Sequence, residues 1–311
     1  MSPLTLNPDH QRHPRSGFSL VELMAVIAII GILLALILPA LNNTRDTVRI
    51  AEIATEIKGF EQGIAEFKTQ FGMEPPSGIA LYEEPDLGSG MSADPSWNQD
   101  TANPSRLVQS RTLIRQMWPQ FDFSVAHDFD NDTVTDEVIV LTGDECLLFF
   151  LGGSDTIAPA DSAKADGFSS NPVNPFATGG NRVGPFGEFD PDRMFDDDTD
   201  GAHAYNDPYV DTTVPYLYLS SYDGRGYRPA KDGDLDQDAT YDATDEIQNV
   251  YLQSTDQAWK DKSHQIICAG ADADFGIGGL WSSEDGFSNN SGDTTKDQDN
   301  ITNFNGGKLG Q

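Results

Sequence analysis

Aspartates recur at alternate positions in several places along this chain, and that spacing is the one pattern in it suited to metal chemistry. Asp234, Asp236 and Asp238 lead on to Asp242 and Asp245, the first, third, fifth, ninth and twelfth positions of a calcium-loop spacing. The sixth position is Ala239 rather than glycine, and the twelfth is Asp rather than Glu. Asp196, Asp198 and Asp200 precede Gly201, with Asp207 at the twelfth position; Asp128, Asp130 and Asp132 are followed by Asp136 at the ninth. Calcium takes six to eight oxygens, and alternate acids on a tight loop converge on one point. The competing reading of each run is a solvated acidic turn, because the chain carries 50 Asp+Glu against 19 Lys+Arg. Flanking helices are not evident around the 234 and 196 loops, so a lone loop geometry is expected rather than a helix-loop-helix.

A second kind of chemistry is signalled by one carboxylate. Glu22 stands at the mouth of the uncharged run Leu23 to Leu41, 19 residues long. That length matches a helix crossing a hydrocarbon core, where an acid is costly and calls for a partner. Arg12 and Arg15 lie just before it and favour a cytoplasmic N-terminus. A cleaved secretory signal is a poorer fit: the run is long, and Leu38-Pro39-Ala40 puts a large residue where a small one is wanted. A plain anchor leaves Glu22 unexplained.

Catalytic signals are thin. The sequence has no His-Glu-x-x-His, no Gly-x-Ser-x-Gly and no phosphate loop, so no enzyme activity is expected. His127, His203 and His264 stand apart from one another and from any cysteine at zinc spacing. Cys146 and Cys268 lie in apolar contexts, where two buried free thiols are at least as well supported as a disulfide. Trp97, Trp118, Trp259 and Trp281 are expected in a core. A formal net charge of -31 argues against nucleic-acid or anionic-lipid binding by the body of the chain.

The elements that position these residues follow from periodicity. Ile50, Ile53, Ile57, Phe60, Ile64, Phe67 and Phe71 recur at alternating spacings of three and four, which predicts an amphipathic helix ended by Pro75-Pro76. Together with the apolar run it forms a helix from Phe18 to Phe71, about 80 Å long. Gly59 and Gly63 interrupt it and are expected to allow close packing. Residues 77–103 read as loop and 105–118 as helix. Thr142-Gly-Asp-Glu145 is a capping-box pattern before Cys146 to Leu151, which predicts a short buried helix, with a strand as the alternative. Residues 153–215 read as largely irregular. Tyr216 to Leu219, Val250 to Leu252 and Gln265 to Cys268 are expected to form one small antiparallel sheet, and the polar tail from Ser282 to Gln311 reads as loop except where metal or packing holds it.

Gly17-Phe18-Ser19-Leu20-Val21-Glu22 with the run that follows resembles the cleavage and methylation motif of type IV prepilins and type II secretion pseudopilins. The resemblance covers residues 12–45 and implies cleavage by prepilin peptidase between Gly17 and Phe18, N-methylation of Phe18, and assembly through Glu22, Gly31 and Pro39. It implies an α+β pilin-like fold: leader 1–17, membrane-spanning and assembly helix 18–41, amphipathic helix 42–74, and an acidic extracytoplasmic head 75–311 built on a small antiparallel sheet with long loops. The partners implied are copies of the chain, other pilin-like subunits and an inner-membrane assembly platform; the location is the inner membrane, single-pass, with the head periplasmic or on a filament. Gln265-Ile-Ile-Cys-Ala-Gly-Ala-Asp-Ala-Asp-Phe-Gly resembles the last strand and glycine-aspartate loop of G-type major pseudopilins. That likeness adds Asp272, Asp274, Asp297 and Asp299 as a candidate calcium loop. The alternative to a filament subunit is a membrane-anchored calcium-dependent binding module.

Overall fold

A computed structural model describes residues 19–86, 95–135, 137–158, 162–196, 201–209, 213–229, 250–288 and 294–310, with the backbone alone described over 36–44. The chain divides into two compact units, Met1–Val48 and Arg49–Gln311. Helix α1 runs Leu20–Phe71. In the first unit the described apolar side chains from Leu20 to Leu34 are uncovered on every side, from Leu20 at 73% exposure to Val26 at 44%. Among the described residues no helix is long and apolar enough to cross a membrane.

In the second unit the predicted stripe is the floor of the main core. Ile53, Ile57, Phe60, Ile64 and Phe67 are buried, with Ile50 and Phe71 packed at the edges. Such a stripe must be covered to hold a helix in water. Gly63 lies against the backbone carbonyl of Phe186, so closely that any Cβ would overlap it. Gly59 has open space around it. The polar side of the helix is tied down by Glu56 to Arg193, by Glu61 to Lys260 (3.1 Å), and by Lys68 to Glu74 (3.2 Å) and Asp223 (2.9 Å).

Strand β1 (Ile79–Tyr82) pairs antiparallel with β2 (Val138–Leu141), and α2 (Pro104–Met117) lies between them in sequence. Helix α3 (Gly143–Gly152) is buried along its whole length. The Thr142 N–H donates to Glu145 Oε2 at 2.8 Å, which completes the capping box and bears out the helix over the strand. Two small antiparallel pairs follow, β3 (Phe168–Ser169) with β4 (Arg182–Val183) and β5 (Met194–Phe195) with β6 (Ala204–Tyr205).

The remaining strands are β7 (Leu217–Ser220), β8 (Tyr251–Ser254), β9 (Gln257–Ala258), β10 (His264–Cys268), β11 (Gly279–Ser282), β12 (Gly286–Phe287), β13 (Ile301–Thr302) and β14 (Asn305–Lys308). They form two four-stranded sheets, ordered β14-β13-β10-β7 and β12-β11-β8-β9. Strand alternation divides the first sheet's side chains. Tyr218, Ile266, Cys268 and Ile301 join the core of α1 and α3, whereas Leu217, Leu219, Ile267 and Ala269 meet Tyr251, Phe275 and Trp281 in a second core.

The α+β expectation holds, with an N-terminal helix and small sheets in which every strand pair but one is antiparallel among the described residues. Three details differ from the sequence reading. The Val250 segment does not join β7 and β10; it lies in the other sheet, where β8 pairs parallel with β11. Ile79–Tyr82, expected as loop, is a fully buried strand. The tail, expected as loop except where metal or packing holds it, supplies β12, β13 and β14, with Ile301 and Leu309 buried in the two cores. Cys146 and Cys268 are both buried free thiols. Trp97, Trp118 and Trp281 are buried, and Trp259 is partly so, stacked on Phe304.

Candidate functional site

The N-terminal site begins with a helix cap. The Ser19 N–H donates to Glu22 Oε2 at 2.8 Å, and the Val21 N–H donates to Ser19 Oγ at 3.3 Å. The first is the glutamate half of a capping box and the second an N-cap bond to the second helical amide, and both satisfy donors left over at a helix start. The Ser-x-x-Glu spacing in the sequence is the signal that could have revealed it. Glu22 is exposed and held beside the backbone of residue 19. Gly17 and Phe18 lie outside the described residues. Gly31 is exposed within α1, with open space where a Cβ would stand, and Pro39 lies where the backbone alone is described.

The C-terminal acids are gathered by the turn after β10 and the 3-10 turn Lys296–Asp299. Asp297 is fully buried. Its Oδ1 accepts from Gly278 N at 2.8 Å and from the Tyr251 hydroxyl at 2.9 Å, and its Oδ2 accepts from Ile277 N at 3.2 Å. Asp299 Oδ2 accepts from Ala271 N at 2.6 Å and Asp272 N at 3.2 Å. Asp274 Oδ1 accepts from Gly276 N at 2.8 Å, and its Oδ2 is paired with Lys296. Gly270 and Gly276 adopt φ of +81° and +69°, and a Cβ on either would strike Asp299 or Asp297. The four acids are thus brought into one loop cluster, but most of their oxygens serve backbone amides. Burial, then the charge of Asp299, pushes the Asp272 carboxyl up to about 6.

Another acidic group converges more tightly. One carboxylate oxygen from each of Glu83, Asp128 and Asp130 lies within 4.8 Å of the others, the one such set of three among the described residues. Glu83 follows β1 directly and is 1% exposed. Its Oε1 accepts from Phe129 N at 2.8 Å. Asp128 Oδ2 accepts from Thr133 N at 3.1 Å, and Asp130 Oδ1 accepts from Asp132 N at 3.1 Å. Burial raises the Glu83 carboxyl to about 7, opposed by the amides of Phe129 and Glu137 and reinforced by Asp130 and Asp128. Burial raises Asp130 as well. Spacing along the chain misses Glu83, which lies far before Asp128 and carries no local signal.

The 196 run begins beside this group. Gly201, at φ +88°, sits so that a Cβ would be 3.4 Å from Asp130 Cβ, and its N–H donates to Asp196 Oδ2 at 3.2 Å. Asp198, Asp200 and Asp136 lie outside the described residues, as do Asp234, Asp236, Asp238, Asp242 and Asp245. Asp207 is engaged elsewhere: it is buried, accepts from Tyr209 N at 2.8 Å, and lies 3.4 Å from Cys268 Sγ.

Residues 12–38 match the family described as the prokaryotic N-terminal methylation motif. The chain is 32% identical over 98 residues to the type II secretion system core protein G of Pseudomonas aeruginosa, across 29% of this chain and 63% of that protein. It is 36% identical over 69 residues to a type IV major pilin protein of Neisseria gonorrhoeae, across 21% of this chain and 32% of that protein. The chain therefore spans less than two thirds of the length of either relative. No solved structure matches. The N-terminal motif is that of a prepilin, and the relatives are consistent with a pilin-like or pseudopilin protein.

Proposed function

We propose that this chain is a structural, non-enzymatic subunit of a type IV filament or type II secretion pseudopilus. The observation that carries the reading is the methylation motif at residues 12–38, whose described helical part from Leu20 to Leu34 has its apolar side chains uncovered on every side. Such a surface needs an oily environment, either a bilayer or a bundle of like helices. In this reading, segment 18–41 first spans the inner membrane with the N-terminus cytoplasmic. Prepilin peptidase then cuts after Gly17 and Phe18 is methylated, and copies pack through the same segment on an inner-membrane assembly platform. The Glu22 cap supports one detail. Its carboxylate already lies against the amide of residue 19, one residue from the amine that cleavage would create on Phe18. That amine, from the same chain or a neighbour, is the cation Glu22 needs in a medium of low dielectric.

Mass spectrometry of the mature N-terminus tests this reading. The expected species begins with N-methyl-Phe18. A retained leader, or a cut after Ala40, overturns it.

A calcium-dependent head is a second reading, favoured by the convergence of Glu83, Asp128 and Asp130. Three carboxylates supply hard oxygen donors of the type calcium takes, and Asp128 Oδ1 is buried without a hydrogen-bond donor. In this reading Glu83→Gln abolishes any rise in melting temperature on adding calcium, whereas Asp272→Asn abolishes it if the C-terminal loop is the site. A melting temperature indifferent to calcium rejects both.

A further inference from the structure

The loop that carries Asp272, Asp274, Asp297 and Asp299 is where the resemblance to G-type major pseudopilins implies calcium. Calcium takes six to eight oxygens at about 2.3–2.6 Å, so carboxylates that share one ion bring their oxygens close together. Among the described residues Glu83, Asp128 and Asp130 do so, and no three of the loop acids do. The loop oxygens are committed to the chain instead. Asp297 accepts from the Gly278 and Ile277 amides and the Tyr251 hydroxyl, and Asp299 Oδ2 from the Ala271 and Asp272 amides. Asp272 Oδ1 accepts from the Asp274 amide at 3.1 Å, and Asp274 Oδ1 from that of Gly276. Of the buried carboxylate oxygens described in this loop, only Asp299 Oδ1 lacks a donor. Main chain fills the space beside the acids, since a Cβ on Gly270 or Gly276 would overlap Asp299 or Asp297. This donor set does not fit a calcium cage.

Four carboxylates in one loop still need positive charge beside them, and the chain supplies it. Lys296 opens the 3-10 turn that also delivers Asp297 and Asp299, and its ammonium pairs with Asp274 Oδ2. Lys308, on β14, brings its ammonium to 4.0 Å from Asp299 Oδ2. An ammonium is a compact charge on a flexible stem. It offsets repulsion among the acids while leaving their bonds to the backbone amides in place, which a metal that demands six or more oxygens would not.

We propose that Lys296 takes the part of a bound cation in this loop: its ammonium, seconded by that of Lys308, offsets the acid charge, and the loop closes without calcium. The inference bears on the calcium reading of the head, which it moves away from this loop, and it is independent of the filament reading. Because the ammonium is tethered to the turn that carries Asp297 and Asp299, closure does not depend on the concentration of any ion outside. The Lys296 side chain is 54% exposed, so replacing it changes charge without opening a core.

The test is hydrogen–deuterium exchange of the full chain in detergent micelles, in EDTA and in about 5 mM calcium chloride. Mass spectrometry follows residues 271–278, whose amides the loop acids hold, and residues 127–133 beside Glu83. Rates are taken relative to Leu217–Ser220 in β7, so that a general stabilisation of the head cancels. In the wild-type chain 271–278 should exchange at the same relative rate with and without calcium, within about 1.5-fold. In EDTA Lys296→Met should speed exchange there at least about twofold and Lys296→Glu at least about fivefold, while Lys296→Arg stays within about 1.5-fold. Calcium that slows 271–278 at least about twofold in the wild type overturns the proposal, as does Lys296→Glu exchanging within about 1.5-fold of wild type. Slowing at 127–133 alone supports both the proposal and the calcium reading at Glu83. No calcium effect at either segment rejects that reading and is the result the proposal expects for the loop.

Discussion

Removing the carboxylate of Glu56 should loosen the grip of the head on the second half of α1. Glu56 Oε1 accepts from Arg193 Nη1; Oε2 accepts from Arg193 Nη2 at 2.9 Å and from the Tyr216 hydroxyl at 2.6 Å. Burial opposes the charge on Arg193, but the bonds from Glu56 outweigh it and keep the guanidinium pKa above its ordinary value. Tyr216 is fully buried. In Glu56→Ala its hydroxyl loses this acceptor inside the core, at about 1–3 kcal/mol. The arginine pair is about a fifth exposed on each side, so water replaces part of the loss, and its share is about 1 kcal/mol. The expected total is about 2–4 kcal/mol, or a fall of about 4–8 °C in the melting temperature of a unit this size. Differential scanning calorimetry of the full chain in detergent micelles reads it directly. Glu56→Gln keeps one oxygen for the tyrosine and should lose about half as much. In a Tyr216→Phe background the orphaned hydroxyl is gone, so Glu56→Ala should cost at least about 1 kcal/mol less than in the wild type. A melting temperature within about 1 °C of wild type, or an equal cost in both backgrounds, would refute the account of this bond network.

Two further outcomes follow from the same structure. Asp207, buried beside Cys268, has its carboxyl pushed up to about 6, mainly by burial. A raised carboxyl pKa means the folded state holds its proton more tightly than the unfolded one, so this group's contribution to stability is present below about pH 4 and lost as pH rises to about 6. At about 1.4 kcal/mol per pKa unit this is at most about 3 kcal/mol; Asp207→Asn should flatten that fall between about pH 4 and 6, and an unchanged slope in denaturant titrations would count against it. Glu22→Leu keeps the apolar run but removes both the cap to Ser19 and the candidate partner of the Phe18 amine. It should leave the chain membrane-associated and reduce assembled filament at least about tenfold by pelleting assay, and normal yield would reject the pairing.

Local pattern was legible without coordinates. The Ile50 to Phe71 stripe could be read because a 3.6-residue period reports on one face of one helix, and Thr142 to Glu145 because a capping box closes within a single turn. The Gly17 to Glu22 motif is likewise a local string. Other features depended on pairing between distant segments. Two-residue strands such as β13 have no period to detect, and they became strands because β10 offered them an open edge. The Val250 segment reads as a strand in either sheet; the second core around Tyr251 and Trp281 decided which one. Among the acids, spacing proposed loops by counting along the chain, but a metal-competent cluster is a matter of where oxygens meet. Glu83 meets Asp128 and Asp130 because β1 ends where the 128 loop crosses it. The four C-terminal acids do share one loop cluster, yet most of their oxygens accept from backbone amides or pair with Lys296, and Asp299 Oδ1 is left buried without a donor. Alternation of charge can be written in sequence, whereas which carboxylates remain open to a ligand is settled only once the backbone has taken the hydrogen bonds it requires.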